Sequence, residues 1–193
     1  MATFYNQATL SYNGNIKSSN ITTGEIVEVL SAVKEAVSDS YSSDNDIVYV
    51  ISIVNKGNTA YNGIKITDNL GSYKPSETSP AVVPLTYVPD SVTLYINGVK
   101  QATPNVIETS PLTVENISIP ANGNAVLIYS AKPNQFAPLG VNGSITNSAV
   151  ISGNNFADIT VSETVTATNS ADLSISKTLT PTEIELSYLC GIL

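Results

Sequence analysis

Three polar side chains stand where a strand pattern expects apolar ones. Successive residues of a strand face opposite sides of its sheet, so parity assigns each side chain to core or solvent. In GIKITDNLG, Asp68 shares a face with Ile64, Ile66 and Leu70, while Lys65, Thr67 and Asn69 face water. In NSAVIS, Asn147 goes with Ala149 and Ile151; around Lys34 the companions are Leu30, Ala32 and Ala36. A lysine, a carboxyl and a carboxamide aimed into one core are costly unless they meet. Meeting, they form the set that a spontaneous isopeptide bond requires. Burial lowers a lysine pKa and frees the amine as a nucleophile; it raises a carboxyl pKa and keeps the acid protonated. The protonated acid then hydrogen-bonds the Asn carbonyl, the amine attacks, and ammonia leaves. The expected product is an amide between Lys34 and Asn147, assisted by Asp68. The alternative is a set of ordinary hydrogen-bonded or edge residues, with the lysine ammonium snorkelling outward.

The pattern recurs toward both ends of the chain. Residues 3–14 (TFYNQATLSYNG) and 145–155 (ITNSAVISGNN) share Asn-x-Ala-x-aliphatic-Ser and read as two copies of one strand, so Asn6, with Ala8 and Leu10, repeats Asn147. SISKTLT likewise repeats SAVKEAV, with Lys177 on the apolar face beside Leu173, Ile175 and Leu179. The period is roughly 140 residues, the size of a domain. The chain is therefore expected to divide into an N-terminal donor-like strand (1–19), a β-sandwich domain (20–168), and a C-terminal strand and tail (169–193) resembling the start of a following repeat. Unpaired strand edges recruit other chains. Asn6 of one subunit and Lys177 of another are the candidates for an intersubunit pair.

The elements that position these residues read as β throughout. Runs of Val, Ile, Thr and Tyr, punctuated by Asn-Gly, Lys-Gly-Asn, Pro-Asp and Ala-Asn-Gly, predict strands at 4–12, 20–37, 46–55, 61–69, 82–88, 91–101, 112–119, 124–132, 144–152, 158–168 and 171–179. YINGVKQ reads as a tight hairpin in which Asn97-Gly98 supplies the positive φ angles. Only EIVEVLSAVKEAV at 25–37 could be helical, and the Ser/Thr alternation of its repeat assigns both copies to strand. Short strands with a turn about every ten residues mean a sandwich.

Composition narrows the function. The 193 residues suffice for one sizeable domain with its own core. Net charge is -8 and only 12% of residues are charged, about half the usual share. An acidic surface argues against nucleic acid or anionic membranes as partners. The absence of histidine removes the commonest general base, the usual zinc ligand and every Ser-His or Cys-His arrangement. The single cysteine, Cys190, excludes an intrachain disulfide. Lying in the apolar SYLCGIL, it reads as buried against a neighbour, with an intersubunit thiol link as the second option. Asp44-Asn45-Asp46 lacks the glycine and distal glutamate of a calcium loop and reads as a solvated turn. No cofactor or metal is expected. MATFYNQATL has no basic region leading into an apolar stretch, so no secretory leader is expected, and no apolar run approaches the ~18 residues of a membrane span.

With these residues in view the chain resembles a known family. YVISIVNKGNTAYNGIKITDNLG, VPDSVTLYINGV, ISIPANGNAVLIYSAK and GSITNSAVISG occur in the order of the bacterial and archaeal surface-repeat family called domain of unknown function eleven. The resemblance covers roughly residues 28–152. It implies an immunoglobulin-like β-sandwich, used in tandem on secreted or cell-surface proteins, whose next repeat commonly opens on an Ile-Ser-Lys strand like 174–177. The chain departs from that pattern by stopping at LTPTEIELSYLCGIL. The fold expected is thus all-β, an immunoglobulin-like β-sandwich with extra N- and C-terminal strands. The function expected is that of a structural subunit of a self-assembling extracellular filament or surface layer, on a cell or spore. Copies would join head-to-tail by β-strand addition, with no nucleic acid, no membrane insertion and no enzymatic activity beyond autocatalytic isopeptide formation. The alternative is a monomeric adhesin or stalk module that binds a host or carbohydrate ligand.

Overall fold

The computed structural model describes residues 2–26 and 29–168, and every regular element within them is a strand. Four strands form an N-terminal arm: β1 (Ala2–Asn6), β2 (Thr9–Tyr12), β3 (Asn15–Ser18) and β4 (Thr22–Ile26). β1 pairs antiparallel with β4, and β2 with β3. Asn13 and Gly14, both at positive φ, close the inner hairpin, as an Asn-Gly turn is suited to do. Gly24 lies under the Phe4 ring, where a Cβ would stand 2.3 Å from Phe4 Cζ.

Two sequence expectations are corrected here. Residues 3–14 are not one strand copying 145–155, because the pairing breaks at residues 7–8 and the chain reverses at Asn13 and Gly14. The local hairpin signal outweighs the distant likeness. Asn6 therefore ends β1 opposite Thr22, with its side chain exposed rather than turned into a core. The strand expected over 20–37 is two elements, β4 and β5 (Leu30–Ala36).

The remaining strands build the sandwich: β6 (Ser40–Tyr41), β7 (Ile47–Asn55), β8 (Tyr61–Asp68), β9 (Leu85–Tyr87), β10 (Thr93–Ile96), β11 (Val99–Lys100), β12 (Asn105–Thr109), β13 (Leu112–Ile119), β14 (Asn124–Pro133), β15 (Ser144–Ser152) and β16 (Ile159–Ala167). One sheet runs β11-β10-β14-β7-β5, with β9 also on β14; the other runs β12-β13-β8-β15-β16-β6. Pairing is antiparallel except where β6 joins β16 in parallel. The short strands β6 and β12 were not anticipated, since two residues of Ser-Tyr and the polar NVIET carry no alternation. Elsewhere parity holds except on β13, where a bulge between Val114 and Ile117, with Asn116 at φ 62°, shifts the inward face by one residue. Ile47, Tyr49, Ile51 and Ile53 of β7 and Ala125, Leu127, Tyr129 and Ala131 of β14 point inward. They meet Ile64 and Ile66, Ile117 and Ile119, and Ala149 and Ile151 from the other sheet in a single apolar core. Each large side chain contributes about 1.5–3 kcal/mol by leaving water. The expected C-terminal strand, with Lys177 and Cys190, lies outside the described residues.

Candidate functional site

Among the described residues five polar or charged side chains are buried, Lys34, Asp68 and Asn147 among them. Lys34 comes from β5, at the edge of one sheet; Asp68 and Asn147 come from the adjacent strands β8 and β15 of the other. Parity placed all three correctly, with Leu30 inward and Ala32 and Ala36 half-buried beside Lys34. Lys34 Nζ forms a buried ion pair with Asp68 Oδ2 across the sandwich. The Tyr129 hydroxyl donates to the same oxygen at 2.6 Å, and Asn147 Nδ2 donates to Tyr129 Oη at 3.0 Å. One continuous chain of hydrogen bonds thus joins lysine, acid, phenol and carboxamide.

The turn after β8 holds the acid and the amide in place. Leu70 N–H donates to Asp68 Oδ1 at 2.9 Å. Gly71 N–H donates to Asn147 Oδ1 at 3.0 Å and to Asn69 Oδ1 at 2.9 Å. Asn69 Oδ1 also receives Ser148 N–H from β15 at 3.0 Å, so Asn69, half-buried rather than simply facing water, ties the turn to the strand that carries Asn147. Leu70 is fully buried at φ 52° and Gly71 has φ 73°. A left-handed backbone at a leucine is strained, and a Cβ at Gly71 would stand 2.5 Å from Ile145 Cγ2. Because a backbone N–H must face an oxygen, Gly71 fixes the amide orientation and turns Nδ2 toward Tyr129. This differs from the sequence expectation that the acid itself would hydrogen-bond the amide oxygen. That oxygen faces a backbone donor, and the acid reaches the amide through the phenol.

Two tyrosines escaped the sequence reading. Tyr49 and Tyr129 are directly opposed on β7 and β14, and their rings stack with centroids 5.5 Å apart. Lys34 Nζ lies 4.8 Å from the Tyr49 centroid and 5.8 Å from that of Tyr129, so both faces solvate the cation. Tyr49 Oη is buried without a completed hydrogen bond, although the Asn147 amide approaches it. Their signal was parity: each continues an inward face, and a buried tyrosine brings a hydroxyl with it. Glu163, the half-buried cross-strand neighbour of Asn147 on β16, was also missed.

Burial pushes the Lys34 pKa below the usual lysine value, against the opposing pull of the Asp68 and Glu163 carboxylates. Burial raises both Tyr49 and Tyr129, and the nearby Asp68 charge adds to each rise. Burial therefore eases loss of the Lys34 proton, while the phenols hold theirs more tightly. Among the described residues no cluster of His, Cys, Asp and Glu is arranged to hold a metal, and no helix is long and apolar enough to cross a membrane.

No family model matches the chain, and neither does any curated protein. Solved structures do. The fold is similar to that of RrgB, the pilus backbone of Streptococcus pneumoniae, with a TM-score of 0.51 at 13% identity over 67% of this chain and 32% of that one. It is also similar to a variant of BcpA, the major pilin subunit of Bacillus cereus, with a TM-score of 0.52 at 11% identity over 86% of this chain and 48% of that one. The chain spans less than half the length of either pilus protein. Likeness at this identity establishes the fold. The protein is an all-β, immunoglobulin-like sandwich carrying additional N-terminal strands.

Proposed function

We propose that this chain is a structural subunit of a self-assembling surface filament or layer, and that its sandwich is closed by an isopeptide bond between Lys34 and Asn147 with Asp68 assisting. The observation that carries the reading is the buried network from Lys34 through Asp68 and Tyr129 to Asn147. Apolar side chains of similar volume would pack those positions at lower cost, so chemistry is the better account of their presence. Burial eases deprotonation of the amine, its proton acceptor Asp68 is in contact, and the amide carbonyl faces a fixed donor.

Assembly is supported by the arm and by the fold. Phe4, Tyr5, Leu10, Tyr12, Ile16 and Ile21 are all exposed there, and the two-stranded sheets β1-β4 and β2-β3 each leave strand edges without a partner strand among the described residues. A second copy of the chain is the partner such edges suit, through strand addition. Two pilus subunits share the fold class, and the motif order resembles that of surface repeats, so the expected location is the cell or spore surface. Intact-mass spectrometry tests the bond: the folded chain is one ammonia lighter than its sequence, and Lys34→Ala or Asn147→Ala abolishes the loss. An unmodified mass in the folded wild type overturns it. Negative-stain microscopy tests assembly, with filaments expected from purified protein and no added ligand. A lightened chain that stays monomeric would instead favour the adhesin or stalk reading.

A further inference from the structure

We propose that Tyr129 is a catalytic residue of this reaction, the proton relay that carries a proton from Asp68 to the departing amide nitrogen. The inference rests on the isopeptide reading and adds the step that reading lacks. An amide nitrogen leaves only once it is protonated, and Asp68 makes no hydrogen bond to Asn147 Nδ2. Tyr129 Oη does, at 3.0 Å, while standing 2.6 Å from Asp68 Oδ2. The Tyr49 hydroxyl also lies near this amide but completes no hydrogen bond to it, whereas Tyr129 Oη does. Stacking on Tyr49 holds the ring in position, and burial keeps the phenol protonated through the neutral range.

The step balances as follows in atoms and charge. The Lys34 ammonium gives one proton to Asp68 Oδ2, and the freed Nζ attacks Asn147 Cγ. The carbonyl electron pair moves onto Oδ1, where the Gly71 N–H stabilises it as an oxyanion donor does. Both hydrogen bonds at the phenol reverse: Asp68 donates to Oη, and Oη donates to Nδ2, whose lone pair is now free. Tyr129 passes its own proton to Nδ2 and takes the one from Asp68. The Cγ–Nδ2 bond breaks with its electrons on nitrogen, and ammonia leaves. The attacking nitrogen sheds a second proton to Asp68, and the Oδ1 pair restores the carbonyl. One proton of the original ammonium stays on the new amide, one departs in ammonia and one rests on Asp68. Tyr129 ends unchanged.

The test follows the reaction in the full chain. Protein is synthesised cell-free, translation is stopped, and the fraction lighter by one ammonia is tracked over time by intact-mass spectrometry. Removing a general acid–base group costs roughly 10²–10⁴ in rate, so Tyr129→Phe is expected to cross-link at least about 100-fold more slowly than wild type. Tyr41→Phe is the matched control. It deletes another hydroxyl, a part-buried one that donates to the Pro138 carbonyl rather than to Asp68 or Asn147, and is expected to keep the wild-type rate. Equal rates for wild type and Tyr129→Phe overturn the relay and leave the bond standing; a wild type that loses no ammonia overturns the bond itself. Should Tyr129→Phe fail to fold, 3-fluorotyrosine at position 129 preserves the ring and makes the phenol more acidic. The charged and titratable groups around Lys34 are Asp68, Glu163, Tyr49 and Tyr129, and only the last is altered. The relay then requires the alkaline limb of the pH–rate profile to move to lower pH. An unmoved limb overturns it.

Discussion

Asn147→Ala is the substitution that weighs the proposed bond most cleanly, because it leaves both Lys34 and Asp68 in place to pair with each other. Lys34→Ala would instead strand a buried carboxylate, at a cost of about 3–5 kcal/mol unrelated to any cross-link. An amide between positions 34 and 147 closes a loop of about 110 residues, and the chain-entropy relation used for disulfides assigns such a closure about 5 kcal/mol. The alanine also forfeits the two hydrogen bonds of the carboxamide, to Gly71 N–H and Tyr129 Oη, each worth about 1 kcal/mol net. Gly71 keeps Asn69 as an acceptor, so its N–H is not orphaned. The total is about 6 kcal/mol if the bond exists, since Nδ2 has then left as ammonia and only the Gly71 hydrogen bond is forfeited, and about 2 kcal/mol if it does not. At about 3 °C per kcal/mol for a sandwich of this size, Tm falls by about 18 °C in the first case and about 6 °C in the second. Scanning calorimetry on both proteins, each with its intact mass measured, distinguishes the two. A fall near the smaller figure, alongside an unmodified wild-type mass, refutes the reasoning.

Gly71→Ala should both destabilise the domain by more than about 1 kcal/mol and slow cross-linking, because relieving the Ile145 contact moves the N–H that faces the amide oxygen; thermal melts and the mass time course read the two effects. In uncross-linked Asn147→Ala, stability should rise with pH in the alkaline range, as denaturant titrations would reveal. The folded Lys34 pKa lies below its unfolded value of about 10.4, so the cost of burying its charge is full below the folded pKa and relieved as pH climbs toward the unfolded one. Above about pH 10 the trend should reverse, because unfolded tyrosines ionise there while buried Tyr49 and Tyr129 resist. Deleting residues 1–14 should leave a folded sandwich that forms no filaments under negative stain; filaments from the truncated chain would place the donor segment elsewhere. Assembled wild type that runs as a ladder on denaturing, reducing gels should collapse to monomer in Lys177→Ala if Asn6 and Lys177 join subunits, and full dissolution of the wild type to monomer would exclude that bond.

Parity made the buried trio legible because it is a property of single strands. Lys34, Asp68 and Asn147 each interrupt an inward face, and nothing about pairing was needed to see it. The partners between them were not legible in the same way. That Tyr129 stands between an acid on β8 and an amide on β15 depends on two sheets facing each other in one register, which no local pattern encodes. The Gly71 donor was hidden for another reason: it is backbone, and its direction follows from a left-handed turn that only the packed Leu70 side chain sustains. At the N-terminus the error ran the other way. A likeness between distant segments was weighed above Asn13 and Gly14, whose own conformational preference closes a hairpin before residue 3 can reach residue 14 in one extended run.

Lys34 lies five residues into the first described segment of the sandwich and Asn147 on its penultimate strand. With those two side chains joined, tension applied along the polypeptide enters at β5, crosses the sandwich through the amide, and leaves by way of β16. The roughly 110 residues between the tie points carry none of it. Under pull, such a domain can pay out only the slack outside positions 34 and 147, so a string of copies would stretch at its joints and hold its length within each bead.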